Sequence, residues 1–286
     1  MTEISVAAVK SLRDRTGAGM MDCKRALQET DGDEEKAIDL LRKKGAAKAA
    51  RRAGREAEEG TVQVAGSPDG GPVAMVEVTS ETDFVAKNDE FVAFARRAAE
   101  VARDADLPEG EVGDGEDLLD RPADDPLREE LNELRARIGE NLRMGRWIRW
   151  DPADDAVVGD YVHFGNTIGV LVEIGGGGDR EQAARLAREV AMHVAATDPA
   201  GVSPDDIPEE EREREEKVLR EQAEEEGKPP EIVEKIVEGR MRKFYEENAL
   251  LRQAFVKDPD TTVGELISGT DPDLEVRRFV RFEVGS

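Results

Sequence analysis

A chain of 286 residues exceeds what one hydrophobic core usually organises, so two or more domains are expected. Hydrophobic residues make up 38% and charged residues 37%, and 41 Lys plus Arg against 66 Asp plus Glu give a net charge of −25. A field of that sign repels phosphate backbones and anionic membrane surfaces, which argues against direct nucleic-acid or membrane binding.

Two readings fit the acidity: an ordinary acidic cytosolic protein, or one working at high internal salt, where a Debye length of about 3 Å near 1 M makes self-repulsion tolerable. Cys23 is the single cysteine, so neither an intrachain disulfide nor a thiolate metal cluster is expected. Met1-Thr2-Glu3-Ile4-Ser5 lacks the basic start and apolar run of a signal peptide, and no stretch approaches the ~20 apolar residues of a membrane helix. A soluble cytoplasmic protein is expected.

Residues 1–46 read as a three-helix domain. Val6, Val9 and Leu12 mark the first helix, ended by Gly17 and Gly19. Met20, Met21, Cys23, Ala26 and Leu27 carry the second as far as Asp31-Gly32-Asp33. Ala37, Ile38, Leu40 and Leu41 carry the third, closed by Gly45. Residues 47–59 contain no large apolar residue and read as a linker, either helical or irregular.

Residues 60–152 form a first core subdomain in this reading. Val62 and Val64 alternate with polar residues, Ser67-Pro68-Asp69-Gly70-Gly71 turns the chain, and Val73 to Val78 runs back as a hairpin. One helix carries Phe91, Phe94, Ala95 and Ala98, a second carries Leu127, Leu131, Leu134, Ile138 and Leu142, and a strand spans Arg146 to Trp150. Residues 153–286 repeat the plan: a strand over Tyr161 to Phe164, a turn at Gly165-Asn166-Thr167, and a return strand with Ile168, Val170, Val172 and Ile174. A helix with Ala183, Leu186, Ala187, Val190 and Val194 comes next. Val76-Glu77-Val78 before one helix mirrors Val172-Glu173-Ile174 before the other, which suggests an internal duplication. An antiparallel helical insertion over about 205–245 turns at Gly227-Lys228-Pro229-Pro230 with a thin apolar seam, and a last strand covers residues 276–284. The fold class is α+β, with two antiparallel-sheet subdomains and their helices.

Chemistry is sparse. The two histidines, His163 and His193, are far apart, and no Walker loop, nucleophile elbow or zinc helix occurs. Gly175-Gly176-Gly177-Gly178 lacks the Lys-Ser/Thr of a phosphate loop, and Asp179 would repel an anion, so it reads as a flexible turn. No cofactor or resident metal is expected. The unusual segment is Thr82-Asp83-Phe84-Val85-Ala86-Lys87, a bulky aromatic between a strand and a helix. Either Phe84 tucks into the core with Asp83 capping a short helix, or it stands exposed as an interface anchor.

Leu12 to Leu27, with its core Arg13-Asp14-Arg15-Thr16-Gly17-Ala18-Gly19-Met20-Met21-Asp22, resembles the N-terminal signature of the elongation factor Ts family. Thr82-Asp83-Phe84-Val85-Ala86-Lys87 resembles its second signature, and similar matches occur at Ile138-Gly139-Glu140-Asn141, Ala191-Met192-His193-Val194-Ala195-Ala196, Val237-Glu238-Gly239-Arg240-Met241 and Phe282-Glu283-Val284-Gly285. The resemblance implies a ubiquitin-associated-like N-terminal domain, a two-subdomain core and an antiparallel coiled-coil insertion. It implies elongation factor Tu as partner and release of its GDP as the activity, an exchange factor and not an enzyme. Thr82, Asp83, Phe84 and Val85 then match the segment that displaces Mg²⁺ from the GTPase. Arg13, Met20 and Met21 match contacts to the nucleotide-binding domain, and His193 matches a second-subdomain contact. From the residues alone, Met20 and Met21 fit core positions equally well, and His193, on an otherwise apolar helix face, reads as a satisfied core histidine. Family members often continue past the Phe-Glu-Val-Gly segment into a further helix; with Ser286 last here, contacts from that helix are expected to be missing. Self-association through the coiled coil stays open. A peptide-binding adaptor and a carboxylate hydrolase are the rival classes, the second lacking the histidine or metal cluster it would need.

Overall fold

The computed structural model describes residues 4–16, 18–52, 54–66, 70–120 and 126–286. Residues 1–3, Gly17 at the expected end of the first helix, and Ser67, Pro68 and Asp69 of the expected hairpin turn lie outside the described residues. Three N-terminal helices, α1 (Val6–Thr16), α2 (Met20–Glu29) and α3 (Glu34–Arg52), close around Val9, Leu12, Cys23, Ala26, Leu27 and Ala37. Helices this short are marginal alone, so the shared core holds them.

The next part is an antiparallel sheet of β1 (Glu59–Ala65), β2 (Val73–Ser80), β3 (Gly113–Asp114) and β4 (Arg143–Trp150), in the order β1-β2-β4-β3. Its helices are α4 (Asp83–Ala86), α5 (Asp89–Asp104), α6 (Gly115–Leu119) and α7 (Leu127–Ile138). Val76, Val78, Phe91, Phe94, Leu131, Leu134 and Trp147 form the core between them. A second antiparallel sheet, β5-β6-β9, is built from β5 (Ala156–Val162), β6 (Ile168–Gly175) and β9 (Glu275–Glu283). Its core partner is α8 (Arg180–Thr197), through Val170, Val172, Ile174, Leu186, Val190 and Val194. Between α8 and β9 lie α9 (Glu209–Glu225), α10 (Pro230–Asn248), the small hairpin β7 (Ala254–Phe255) and β8 (Asp258–Thr262), and α11 (Val263–Thr270).

The two sheets face one another. Val62, Val73, Met75, Ile148 and Trp150 of the first meet Leu171 and Phe282 of the second, while alternate residues of β2 and β6 face their own helices. Both sheet faces are therefore buried, which is why β2 has no exposed residue. At the rim of this seam the halves grip each other reciprocally. Arg146 Nε donates to buried Glu77 (2.7 Å) while its guanidinium lies 4.7 Å over the ring of Phe282, on the other sheet. Arg278 Nε donates to buried Glu173 (2.6 Å) and lies 4.5 Å over the ring of Trp150. Each carboxylate sits on a middle strand at a register irregularity.

The mixed helical and antiparallel-sheet class agrees with expectation; several boundaries differ. The third helix is not closed at Gly45 but runs to Arg52, so of the two readings of the linker the helical one holds for residues 47–52. Ala-rich sequence favours the helix, and Gly45 is where α3 passes close to Ala136 of α7. Helix α7 stops at Ile138, not Leu142, because Gly139 takes a left-handed conformation (φ 87°) that suits glycine. Leu142 is buried regardless, and β4 starts at Arg143, not Arg146. The strand expected over Tyr161 to Phe164 is Ala156–Val162, with the turn beginning at His163. The seam between α9 and α10 is thin, as the sequence suggests: Ala223, Val233, Val237 and Met241, flanked by Leu219 and Phe244.

Candidate functional site

The segment Thr82 to Val85 leaves β2 and forms the one-turn helix α4. Thr82, not Asp83, is its cap: the Thr82 Oγ1 accepts the Val85 N–H at 3.4 Å. Asp83 is the first helical residue and takes an ion pair from Lys87 Nζ at 2.7 Å. That hydrogen bond holds the Asp83 carboxyl below the usual carboxylate range, so it stays ionised at neutral pH. Asn88 caps the following helix, accepting from the N–H groups of Glu90 (2.9 Å) and Phe91 (3.3 Å). Val85 and Ala86 turn inward onto the first core. Phe84 points the other way and is 83% exposed. Of the two readings left by the sequence, burial in the core is not what the fold adopts. A short turn, capped at both ends, carries one aromatic ring into solvent.

Met20 and Met21 open α2, exposed at 49% and 62%, with Cys23, Ala26 and Leu27 filling the helical core in their place. Arg13 is exposed on α1 of the same module. All three are exposed on the helical module, a different part of the chain from Phe84.

His193 is not at the surface. It is fully buried on α8, with Nε2 2.8 Å from Gln253 Oε1 and Nδ1 accepting the Val256 N–H at 3.2 Å. An accepting Nδ1 requires the neutral tautomer protonated at Nε2. Burial pushes its pKa down, against the opposing effect of the Gln253 bond. Its ring lies 5.8 Å from that of Phe255, and Gln253 in turn donates to the Glu247 carbonyl. The histidine thus fastens α10 and the β7–β8 hairpin to α8. The side chain exposed beside it is Val256.

The sequence reading missed Phe164, which is 96% exposed at the β5–β6 turn. The turn is held by the Asn166 carbonyl, which accepts the Val62 N–H at 2.7 Å, and by Tyr161 Oη beside His163 Nδ1 at 3.0 Å. Gly165-Asn166 was the available signal: both have positive φ (94° and 59°), so the residue before them belongs to the turn and not to the strand.

Among the described residues, no group of three His, Cys, Asp or Glu side chains is placed to hold a metal, and no helix is long and apolar enough to cross a membrane. An open cleft of about 570 Å³ beside β4 is lined by charges of both signs, including Glu77, Asp114, Glu116, Arg143 and Arg146. The prominent features are convex: apolar side chains projecting from braced turns, suited to entering hollows on another macromolecule.

Comparison with known proteins agrees with that character. Residues 81–286 match the family model described as Elongation factor TS. The chain is 50% identical over 283 residues to Elongation factor Ts of Alkalilimnicola ehrlichii, covering 99% of this chain and 92% of that protein. The figures for Elongation factor Ts of Halorhodospira halophila are the same, 50% over 283 residues with 99% and 92% covered. For Elongation factor Ts of Aquifex aeolicus they are 44% over 286 residues, covering 99% and 98%.

Proposed function

Because this chain belongs to the elongation factor Ts family, we propose that it binds elongation factor Tu carrying GDP and speeds GDP release, allowing GTP to rebind. It acts by binding and carries out no bond chemistry. The observation that carries the reading is the exposed Phe84 ring on its capped turn. Mg²⁺ in a GTPase bridges phosphate oxygens and demands near-ideal octahedral geometry, so a small backbone displacement evicts it. A ring pressed between elements of the GTPase supplies that displacement, with Thr82, Asp83 and Val85 fixing its direction. Binding energy gained at separate places sustains it. Met20, Met21 and Arg13 grip the nucleotide-binding domain, and Phe164 offers a further anchor. His193 serves by bracing exposed Val256 and not by its own contact. Accelerating release a thousandfold requires only about 4 kcal/mol off the barrier, within reach of a few buried anchors. By linkage, GDP weakens the binding of this protein by the same factor as this protein weakens GDP binding.

On this reading α1 to α3 are the ubiquitin-associated-like domain, the two sheets with their helices are the core subdomains, and α9 with α10 is the coiled-coil insertion. The setting is cytoplasmic, and nucleic acid is not a direct partner.

The test preloads the cognate elongation factor Tu with fluorescent GDP and Mg²⁺, chases with unlabelled GDP, and records release with and without this protein. Wild type should accelerate release strongly. Phe84→Ala should still bind nucleotide-free elongation factor Tu while lowering the release rate at saturation by about tenfold or more. Folded wild-type protein that gives no acceleration at any salt concentration would overturn the proposal.

A further inference from the structure

The signature Ile138-Gly139-Glu140-Asn141 has no part in the contacts proposed above, yet it meets the Phe84 turn directly. The Glu140 carboxylate accepts the Thr82 N–H through Oε2 (3.1 Å) and the Thr82 hydroxyl through Oε1 (2.8 Å). With its proton committed to Glu140, the Thr82 oxygen presents its lone pairs to the Val85 N–H, the bond that closes α4. The exchange is reciprocal, because Glu81 Oε1 accepts the Asn141 N–H at 2.6 Å. Asn141 Nδ2 also donates to the Arg55 carbonyl (2.8 Å), and the Arg55 side chain pairs with Glu81 (3.1 Å). Gly139 makes the geometry available: its left-handed conformation ends α7 and turns Glu140 toward Thr82, 58 residues away in sequence.

We infer that Glu140 is a positioning residue for nucleotide exchange, setting the direction in which Phe84 projects through its double hydrogen bond to Thr82. This rests on the exchange function proposed above. A four-residue helix has no stability of its own, so the direction that Thr82, Asp83 and Val85 give the ring depends on what holds Thr82. Val85 and Ala86 anchor its inner side, and Asn88 caps the start of α5. Its entry is fixed by Glu140 alone among the described side chains outside residues 80–88 that bond Thr82. A carboxylate acceptor on both an N–H and an O–H is stiffer than a neutral pair. It transmits to Phe84 the rigidity of α7 and of the core behind it.

A double-mutant cycle on the full chain tests this. Release of fluorescent GDP from elongation factor Tu is measured against the concentration of wild type, Glu140→Ala, Phe84→Ala and the double variant, giving a saturating rate and a half-saturating concentration for each. Glu140→Ala is expected to lower the saturating rate about tenfold with the half-saturating concentration within about twofold of wild type. Glu140→Gln, which keeps one acceptor oxygen, should recover part of that loss. In the Phe84→Ala background, adding Glu140→Ala should change the saturating rate less than about twofold, because its effect runs through the missing ring. An equal fall in both backgrounds, or a lower melting temperature with an unchanged rate, overturns the role assigned to Glu140 and leaves the exchange function standing. Phe84→Ala at the full wild-type rate overturns the Phe84 wedge and this inference together. Should circular dichroism show Glu140→Ala unfolded, the same cycle with Glu140→Gln gives the decision by the same criteria.

Discussion

Lowering the pH from neutral should weaken the fold at His193. The folded state holds this imidazole neutral: burial lowers its pKa from the ordinary 6.5, and Nδ1 is occupied as acceptor for the Val256 N–H at 3.2 Å. Protonating Nδ1 would set two N–H groups against each other and strand the Val256 amide. The unfolded chain has no such constraint and takes up its proton near pH 6.5. A depressed folded pKa therefore leaves stability complete above about pH 6.5, with loss as the pH falls from there toward the folded value. One proton bound only by the unfolded state gives a slope of at most about 1.4 kcal/mol per pH unit, which caps the loss between pH 7.5 and 5.5 at about 1.4 kcal/mol. Urea unfolding of wild type and His193→Gln at about pH 7.5, 6.5 and 5.5 isolates it, since all other groups are common to both proteins and cancel in the difference. The variant should be less stable at pH 7.5, and the gap should narrow on going to pH 5.5, by no more than about 1.4 kcal/mol. A gap that stays constant with pH, or widens on acidification, would refute the assignment of a neutral, accepting histidine.

Three further outcomes rest on the packing. Gly169→Ala places a methyl 2.4 Å from Val62 Cγ1 and 2.8 Å from Met75 Sδ, between the two sheets; thermal unfolding should show a loss of about 1–3 kcal/mol. Glu173→Ala leaves Arg278 without its buried partner at the sheet seam, and denaturant titration should show a loss of about 2 kcal/mol, with Glu77→Ala behaving alike through Arg146. Met20→Ala with Met21→Ala removes only exposed side chains, so the unfolding midpoint should hold within about 0.5 kcal/mol, while affinity for nucleotide-free elongation factor Tu falls in a titration.

What could be read from the sequence were the features carried by period. Alternation gave β1 and β6, an apolar run after a turn gave β2, and apolar faces of period 3.6 gave α5, α8 and α10, because burial on one or two faces writes itself into neighbouring residues. Boundaries slipped where tertiary contact decided them: α3 runs through Gly45 because that glycine lies against α7. The β7–β8 hairpin and α11 were not anticipated, their strands being only two and five residues long. At the candidate site the motif was legible and its geometry was not. Phe84 stands in a local sequence that suits a buried or an exposed ring, and Glu140, the group that orients the turn, is far off in sequence. His193 sits on an apolar helix face whose second partner, Gln253, is 60 residues downstream. Nothing in the local sequence of either partner, Glu140 within its motif included, says which residue it bonds.

The exposed methionines and aromatic rings are widely distributed: Met20 and Met21 on the helical module, Phe84 after β2, Phe164 between β5 and β6. The proposed exchange role has this protein deform another without deforming first, so it calls for a stiff scaffold joining these points. The reciprocal grips at the sheet seam supply this. Each half contributes a carboxylate–arginine pair from its own sheet and an aromatic ring for the arginine of the other, so the sheets cannot slide without breaking both. The parallel between Val76-Glu77-Val78 and Val172-Glu173-Ile174, visible in the sequence, thus has a mechanical counterpart: a buried Glu between two core-facing apolar residues of a middle strand. Exchanging either Glu for a neutral residue would loosen the seam on one side only. The Phe84 and Phe164 turns belong to different sheets, and the bond from Val62 to the Asn166 carbonyl ties the second turn to the first sheet. Force applied at Phe84 is therefore resisted by the whole sandwich and not by the turn that bears it.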